Sequence, residues 1–435
     1  MATSPRSELL RDFAARGLIH EVTAGLDERV TADASIGGYI GFDPSADSLH
    51  VGHLMGVLAL RRLQLAGGRP VALVGGGTGM IGDPSGRSAE RNLLDRPTLD
   101  ANRAAIGGQL ARLLDFSGAK GALLLDNLEW LGEVGLIDFL RDTGKHLTVG
   151  YMLAKDSVKS RLEAGLSFTE FSYMLLQSYD FLMLRRLHGI ELQMGGSDQW
   201  GNITAGTELI RRVEGDGSEA GSLAFGLCYP LLVAKSGAKF GKTAEGAVWL
   251  DPKRTSPFAF RQFWIDQEDA QVGELLLRFT LDPVAEITTL LAAHEADPSA
   301  RVAQRHLASR LTAMVHGADE EARAAEVAET LFGVPGGGAR DPRTLSAATL
   351  ATLAAELEGG VVPQAADATL VDAVIAAGLA TSKGEARRLI DQGGISVNGS
   401  PATDATAAIT TFAPLADGSL LIRKGRREHR ILRAG

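Results

Sequence analysis

Gly38-Tyr39-Ile40-Gly41-Phe42-Asp43-Pro44-Ser45-Ala46-Asp47-Ser48-Leu49-His50-Val51-Gly52-His53-Leu54 is the stretch whose reading decides the fold. Ile40 and Phe42 are strand formers, and Asp43-Pro44-Ser45 stops the strand because proline has no N–H for a ladder. Leu54, Val57, Leu58, Arg61, Arg62 and Leu65 recur at helical spacing, which predicts a helix from about 51 to 66. His50, Gly52 and His53 fall at its start. Free backbone N–H groups and the positive end of the helix dipole favour a phosphate there. Gly52 lets a flat base or ribose pack on the backbone, and the histidines can donate to phosphate oxygens. Taken alone, H-x-G-H reads equally well as a plain βα turn with two surface histidines.

Outward from this unit the pattern repeats. Pro70-Val71-Ala72-Leu73-Val74 reads as a buried parallel strand and ends in Gly75-Gly76-Gly77-Thr78-Gly79. Ala122–Leu125, Ile190–Met194 and Tyr229–Val233 read as further buried strands, and 5–20 and 133–142 as helices. Apolar strands alternating with helices predict an α/β, doubly wound parallel sheet. Ligands in such sheets bind at the carboxyl ends of the strands, near the switch point.

Several polar features can face that crevice. The helix Thr169–Met183 is apolar almost all round, so it should be buried. Yet Tyr173, Gln177 and Asp180 share one face, and a buried polar stripe needs partners, from the protein or from a ligand. Gly195-Gly196-Ser197-Asp198-Gln199 is another glycine turn at a helix start, where Ser197 or Asp198 can cap and Asp198 can equally accept from ribose hydroxyls. The glycine-rich loop 82–91 carries Arg87 and Arg91, and Lys235–Thr243 carries Lys239 and Lys242 around a Phe-Gly. Both loops can close on phosphates, or be ordinary surface.

With 435 residues the chain is too long for one core, and two or three domains are expected. Its 45% hydrophobic and 22% charged content is ordinary for a soluble protein, and no apolar run is long enough to span a bilayer. One cysteine excludes an internal disulfide and a cysteine-rich metal site. Together with an N-terminus lacking a signal-peptide pattern, this favours the cytoplasm. Net charge is −9, but residues 364–435 hold nine Lys+Arg against seven Asp+Glu, leaving −11 for the rest. A basic tail on an acidic body suggests an anionic partner at one end.

The order of the motifs carries more than any one of them. His50-Val51-Gly52-His53 early, and Lys239-Phe240-Gly241-Lys242-Thr243 closing the same region, resemble the two signatures of a class I aminoacyl-tRNA synthetase. Tyr39, Asp43, the Tyr173/Gln177/Asp180 stripe and Gly195–Gln199 narrow the resemblance to bacterial tyrosyl-tRNA synthetases, over essentially the whole chain. The resemblance implies a Rossmann-like catalytic domain (1–250), a helical anticodon-binding domain (251–345), a linker (346–362) and a small α+β RNA-binding domain (363–435). It implies that Tyr39 and Asp180 bind the tyrosine hydroxyl, that Asp83, Tyr173 and Gln177 bind its ammonium, and that Gln199 lies near its carboxylate. Asp43, Gly52, His53, Gly196 and Asp198 would lie near the ATP moiety. Ser45, His50, Arg87, Arg91, Lys239, Lys242 and Thr243 would stabilise departing pyrophosphate. ATP is then a substrate, accompanied by Mg²⁺, with L-tyrosine and tRNA(Tyr) as the other partners. No protein-held metal, no membrane, and a homodimer formed around 130–165 complete the expectation.

Val51 replaces the usual Ile or Leu of the first signature, and Ile40 stands where many members have a ribose-contacting cysteine. Arg87 stands where some have lysine, which keeps charge but alters geometry. The resemblance also implies rejection of phenylalanine on the order of 10⁴–10⁵, a magnitude that belongs to that family and does not follow from these residues. Leu370–Gly399 resembles the RNA-binding module of ribosomal small-subunit protein four, with Lys383, Arg387 and Arg388 on one helical face and Arg426 and Arg427 in the basic tail. A tryptophan-specific relative is disfavoured by Tyr39 and Asp180. A non-catalytic RNA-binding protein is disfavoured by the intact signatures.

Overall fold

The computed structural model describes residues 5–85, 94–162, 165–215, 223–232, 240–243, 246–334, 337–425 and 427–434. The chain forms two compact units, Met1–Thr255 with Glu268–Ala292, and Ser256–Gln267 with Ala293–Gly435.

The first unit is built on six strands: β1 (Glu21–Val22), β2 (Gly37–Phe42), β3 (Arg69–Val74), β4 (Leu123–Asp126), β5 (Ile190–Gly196) and β6 (Phe225–Tyr229). They lie in the order β1-β6-β5-β2-β3-β4, parallel except for β1. The chain runs outward from β2 to β3 and β4, then returns to β5 on the other side of β2. The strand order therefore reverses between β2 and β5, which is where doubly wound sheets open a crevice.

Alternation along β2 and β3 sorts the two faces. Tyr39, Val71 and Leu73 join one core with Phe181, Leu184, Leu209 and Ile210. These come from α2 (Phe168–His188) and α3 (Trp200–Glu214). The opposite face receives α1 (Val51–Leu65), so closely that a Cβ on Gly38 would stand 2.6 Å from Leu63. Helix α2 begins at Ser167, whose side chain accepts from Glu170 N–H, and ends at Gly189 in the left-handed region.

Several expectations change. The strand expected at Tyr229–Val233 ends at Tyr229, because Pro230 cannot continue the ladder and Phe225–Tyr229 is buried between β5 and β1. The strand expected to be buried at Ala122–Leu125 lies at the sheet edge as β4, with Leu124 39% exposed. The helix expected over 5–20 stops at Ala15. Helix α4 (Asp269–Phe279), expected in a separate helical domain, belongs to the first unit. Buried Arg16 and Arg62 donate to the carbonyls of Leu277 and Thr280 at its C-terminus, satisfying groups that a helix end leaves unpaired.

In the second unit, 346–362 is not a loose linker. Ala347–Glu356 is a helix capped by Ser346, and Leu350 and Leu353 are fully buried with Phe258, Val327 and Leu421. Strand Gly359–Val361 pairs in parallel with Glu428–Arg433, at the edge of a five-stranded sheet. The period of Leu350, Leu353 and Leu357 is the helical signal that the glycine-rich stretch before it obscured. Asn398-Gly399, both at positive φ, closes the hairpin between Ile395–Val397 and Ser400–Pro401.

Candidate active site

A cleft of about 790 Å³ opens at the carboxyl ends of β2, β3, β5 and β6, in the upper range for small-molecule sites. Among its lining residues are Tyr39, Asp43, Ser45, His50, Gly52, His53, Asp83, Tyr173, Gln177, Asp180, Gly196, Asp198 and Gln199. The fold thus brings together thirteen residues singled out from sequence positions 39 to 199.

One end is deep and acidic. Asp180, 2% exposed on α2, accepts from the indole N–H of Trp130 at 2.7 Å and from the amide of Asn127 at 2.8 Å. Burial pushes its pKa up to about 7 against these two stabilising bonds, with the carboxylates of Asp43 and Asp126 adding to the rise. Tyr39, 1% exposed, has a hydroxyl with no hydrogen-bond partner among the described residues. Burial and the neighbouring Asp180 raise its pKa, so it stays an O–H donor. Asparagine and tryptophan are donors only toward this carboxylate, so Asp180 keeps lone pairs for a further donor.

The wall beside it is a polar network. The Tyr173 hydroxyl donates to Asp43 at 2.9 Å, and the Thr78 hydroxyl donates to the other Asp43 oxygen at 2.8 Å. Gln199 donates to Asp83 at 2.5 Å, and Asn202 donates to the Gln177 carbonyl at 2.8 Å. Gly75 is required here, since a Cβ would lie 2.0 Å from Asp43 Oδ1.

The other end is built from the start of α1. His50 Nδ1 accepts from Gly52 N–H at 3.0 Å, and His53 Nδ1 accepts from His50 N–H at 3.2 Å, a reciprocal cap. The rings stack with centroids 3.8 Å apart. With both Nδ1 lone pairs spent, each neutral imidazole carries its proton on Nε2 and is a donor there. Trp249 lies edge-on to His50 at 6.0 Å and is itself covered by the Arg254 guanidinium at 3.5 Å.

The second signature is seated on the first. Val51 N–H donates to Val248 O at 3.0 Å, Leu250 N–H to Leu49 O at 2.8 Å, and Val248 N–H to Gly241 O at 2.8 Å. Gly241 has φ +80°, and a Cβ there would lie 2.1 Å from Val51 Cγ2. Phe240 packs against Phe279 with centroids 5.9 Å apart. Lys242 and Thr243 form a two-residue strand paired with Gly246–Ala247. Their side chains, and residues Arg87, Arg91, Lys239 and Arg426, lie outside what the structure describes.

Sequence reading missed Thr78, Asn127, Trp130 and Asn202. Asn127 directly follows β4 and Thr78 ends the glycine turn after β3, positions at the carboxyl edge that are themselves a signal. Trp130 and Asn202 gave none, because their partners are 50 and 25 residues away.

Comparison with known proteins gives the family. Residues 31–333 match the family model described as tRNA synthetases class I (W and Y), and residues 356–432 match that of the Tyrosine--tRNA ligase SYY-like C-terminal domain. A tyrosine--tRNA ligase of Anaeromyxobacter dehalogenans is 49% identical over 427 residues, covering 98% of this chain and 99% of its own. The chain belongs to the tyrosine--tRNA ligase family. The family's Roseiflexus castenholzii member is likewise 49% identical, over 98% of this chain and 99% of its own. Its C-terminally truncated Aspergillus nidulans mitochondrial member superposes with a TM-score of 0.66 at 33% identity, covering 74% of this chain and 93% of that one.

The C-terminal basic residues are exposed on the second unit. Lys383, Arg387 and Arg388 stand on the helix Lys383–Asp391, and Arg427 stands in the turn before the last strand. Lys383 also pairs with Asp372 at 3.0 Å.

Proposed function

We propose that the protein ligates L-tyrosine to tRNA(Tyr) in two steps. The tyrosine carboxylate attacks the α-phosphate of ATP, giving tyrosyl-adenylate and pyrophosphate. The 3′-terminal ribose of the tRNA then takes the tyrosyl group. The observation that carries this reading is the pairing, in one cleft, of a buried acidic end at Tyr39 and Asp180 with a donor-rich helix start at His50 and His53.

In this reading the phenol hydroxyl of tyrosine donates to Asp180 and accepts from Tyr39. Its ammonium meets Asp83, Tyr173 and Gln177, and its carboxylate lies toward Gln199. Asp43, Gly52, Gly196 and Asp198 face the nucleotide. The Nε2–H groups of His50 and His53, with Ser45 and the side chains of Arg87, Arg91, Lys239, Lys242 and Thr243, neutralise the phosphates as charge develops. Such transfer needs positioning and charge stabilisation more than a nucleophilic side chain. Contacts that strengthen only in the transition state raise the rate. ATP enters as its Mg²⁺ complex, the metal riding on the phosphates.

The C-terminal module binds tRNA through Lys383, Arg387, Arg388, Arg426 and Arg427, and the part of the 251–345 helical region that belongs to the second unit, Ser256–Gln267 with 293–345, reads the anticodon end. An exposed apolar set, Leu136, Ile137, Leu140 and Val149, supports homodimerisation around 130–165. No described helix is long and apolar enough to cross a membrane, in keeping with a cytoplasmic reading.

Amino-acid-dependent ATP–pyrophosphate exchange tests the reaction. Exchange with tyrosine alone supports it, exchange with tryptophan overturns the pocket reading, and none from folded protein overturns the catalytic reading.

A further inference from the structure

One polar group on the cleft floor takes no part in the networks above. Tyr229 is the last residue of β6 and lines the cleft while only 7% exposed. Its hydroxyl makes no hydrogen bond among the described residues. It reaches over Gly56, in the second turn of α1: a Cβ on Gly56 would lie 2.9 Å from the Tyr229 oxygen. Ile40 borders the same spot, its Cδ1 and Cγ2 each 3.6 Å from that point, and as an apolar side chain offers no hydrogen bond. Only a bare helix backbone leaves room for the ring to extend its hydroxyl this far.

The chemistry of the spot selects among ligand groups. Burial and the nearby Asp198 carboxylate raise the Tyr229 pKa, so the phenol is a neutral O–H at physiological pH. A carboxylate beside a neutral hydroxyl repels phosphate but suits a polyol, which both donates and accepts. Phosphates have their own place one turn earlier, at the N–H groups and imidazoles of the helix start.

We propose that Tyr229 is a nucleotide-binding residue whose hydroxyl bonds to a ribose hydroxyl of ATP, in space that Gly56 provides. The inference rests on the ATP-binding reading of this cleft. It is specific to the combination of Tyr229, Gly56 and Ile40, so it singles out residues that neither signature contains.

The test is tyrosine-dependent ATP–pyrophosphate exchange by the full chain. Tyr229→Phe keeps the ring and should raise KM for ATP about three- to tenfold, the value of one hydrogen bond, with KM for tyrosine unchanged. On 2′-deoxyATP or 3′-deoxyATP, whichever lacks the partner hydroxyl, that penalty should vanish. Gly56→Ala should also raise KM for ATP by crowding the hydroxyl. The Gly56→Ala and Tyr229→Phe effects should be less than additive in the double variant, because the crowded atom is then gone. A Tyr229→Phe enzyme with parental KM for ATP, or one equally impaired on ATP and both deoxy analogues, overturns the proposal. Parent enzyme without tyrosine-dependent exchange would instead overturn the functional reading beneath it.

Discussion

The two ends of the cleft solve opposite problems. At the Asp180 end the protein has buried an acceptor and surrounded it with fixed donors before any ligand arrives. At the His50 end it has gathered donors at a helix start, partly open to water, where negative charge develops in the proposed reaction. The first arrangement buries polar groups, and in the proposed reaction that makes it a strict selector: a ligand without a hydroxyl leaves them unpaired. The second costs little, because each imidazole already serves as a helix cap, and its return comes as charge develops. In the proposed reaction, specificity and rate thus fall to different kinds of burial.

The largest break in this comparison is Asp180→Ala. It removes a charged acceptor and strands the donors of Trp130 and Asn127, so kcat/KM for tyrosine should fall on the order of 10³-fold in exchange assays. An unchanged KM for ATP would keep the two ends separate; an equal rise in both would merge them. His53→Ala attacks the other end, and should lower kcat about 100-fold with little change in KM for tyrosine. It also loses the cap on His50 N–H, at about 1 kcal/mol, measurable by denaturant titration. Trp130→Phe sharpens the acidic end: losing one donor to Asp180 should raise KM for tyrosine about tenfold and move its pH dependence upward.

That pH dependence has a definite sign. Asp180 holds its proton to about pH 7 in the folded protein, against its ordinary value of 3.8. Between these values the folded state binds more protons than the unfolded one, so stability falls as pH rises through the window. The melting temperature of the parent relative to Asp180→Ala should therefore decline from pH 5 to pH 8, while tyrosine binding improves as the carboxylate ionises. A pH-independent difference would place the Asp180 pKa well below the window. The smallest effect is expected in the second unit. Replacing Arg387 and Arg388 by alanine should weaken tRNA binding several-fold, flatten its salt dependence by about two ions, and leave exchange untouched.

How much of this was readable in the chain follows from where the information sits. The βα unit at 38–54 announced itself because strand, proline stop and helix period lie within one contiguous stretch. The polar stripe on α2 was readable because an apolar helix makes three polar residues conspicuous. Trp130 was invisible, since its role exists only through Asp180, 50 residues on. β6 was displaced by four residues because Leu231-Leu232-Val233 has better strand propensity than Phe225–Tyr229, and burial between two strands overrode propensity. The helix Ala347–Glu356 was hidden by an alanine-rich composition after glycines, although its leucine spacing was present.

The contact between Gly241 and Val51 reaches beyond this one enzyme to anyone who would rebuild it. The two signatures are about 190 residues apart, yet a single methyl group added at 241 meets Val51. They are a single interchangeable part: a loop borrowed from a relative with a bulkier residue at 241 would have to bring its own helix start along.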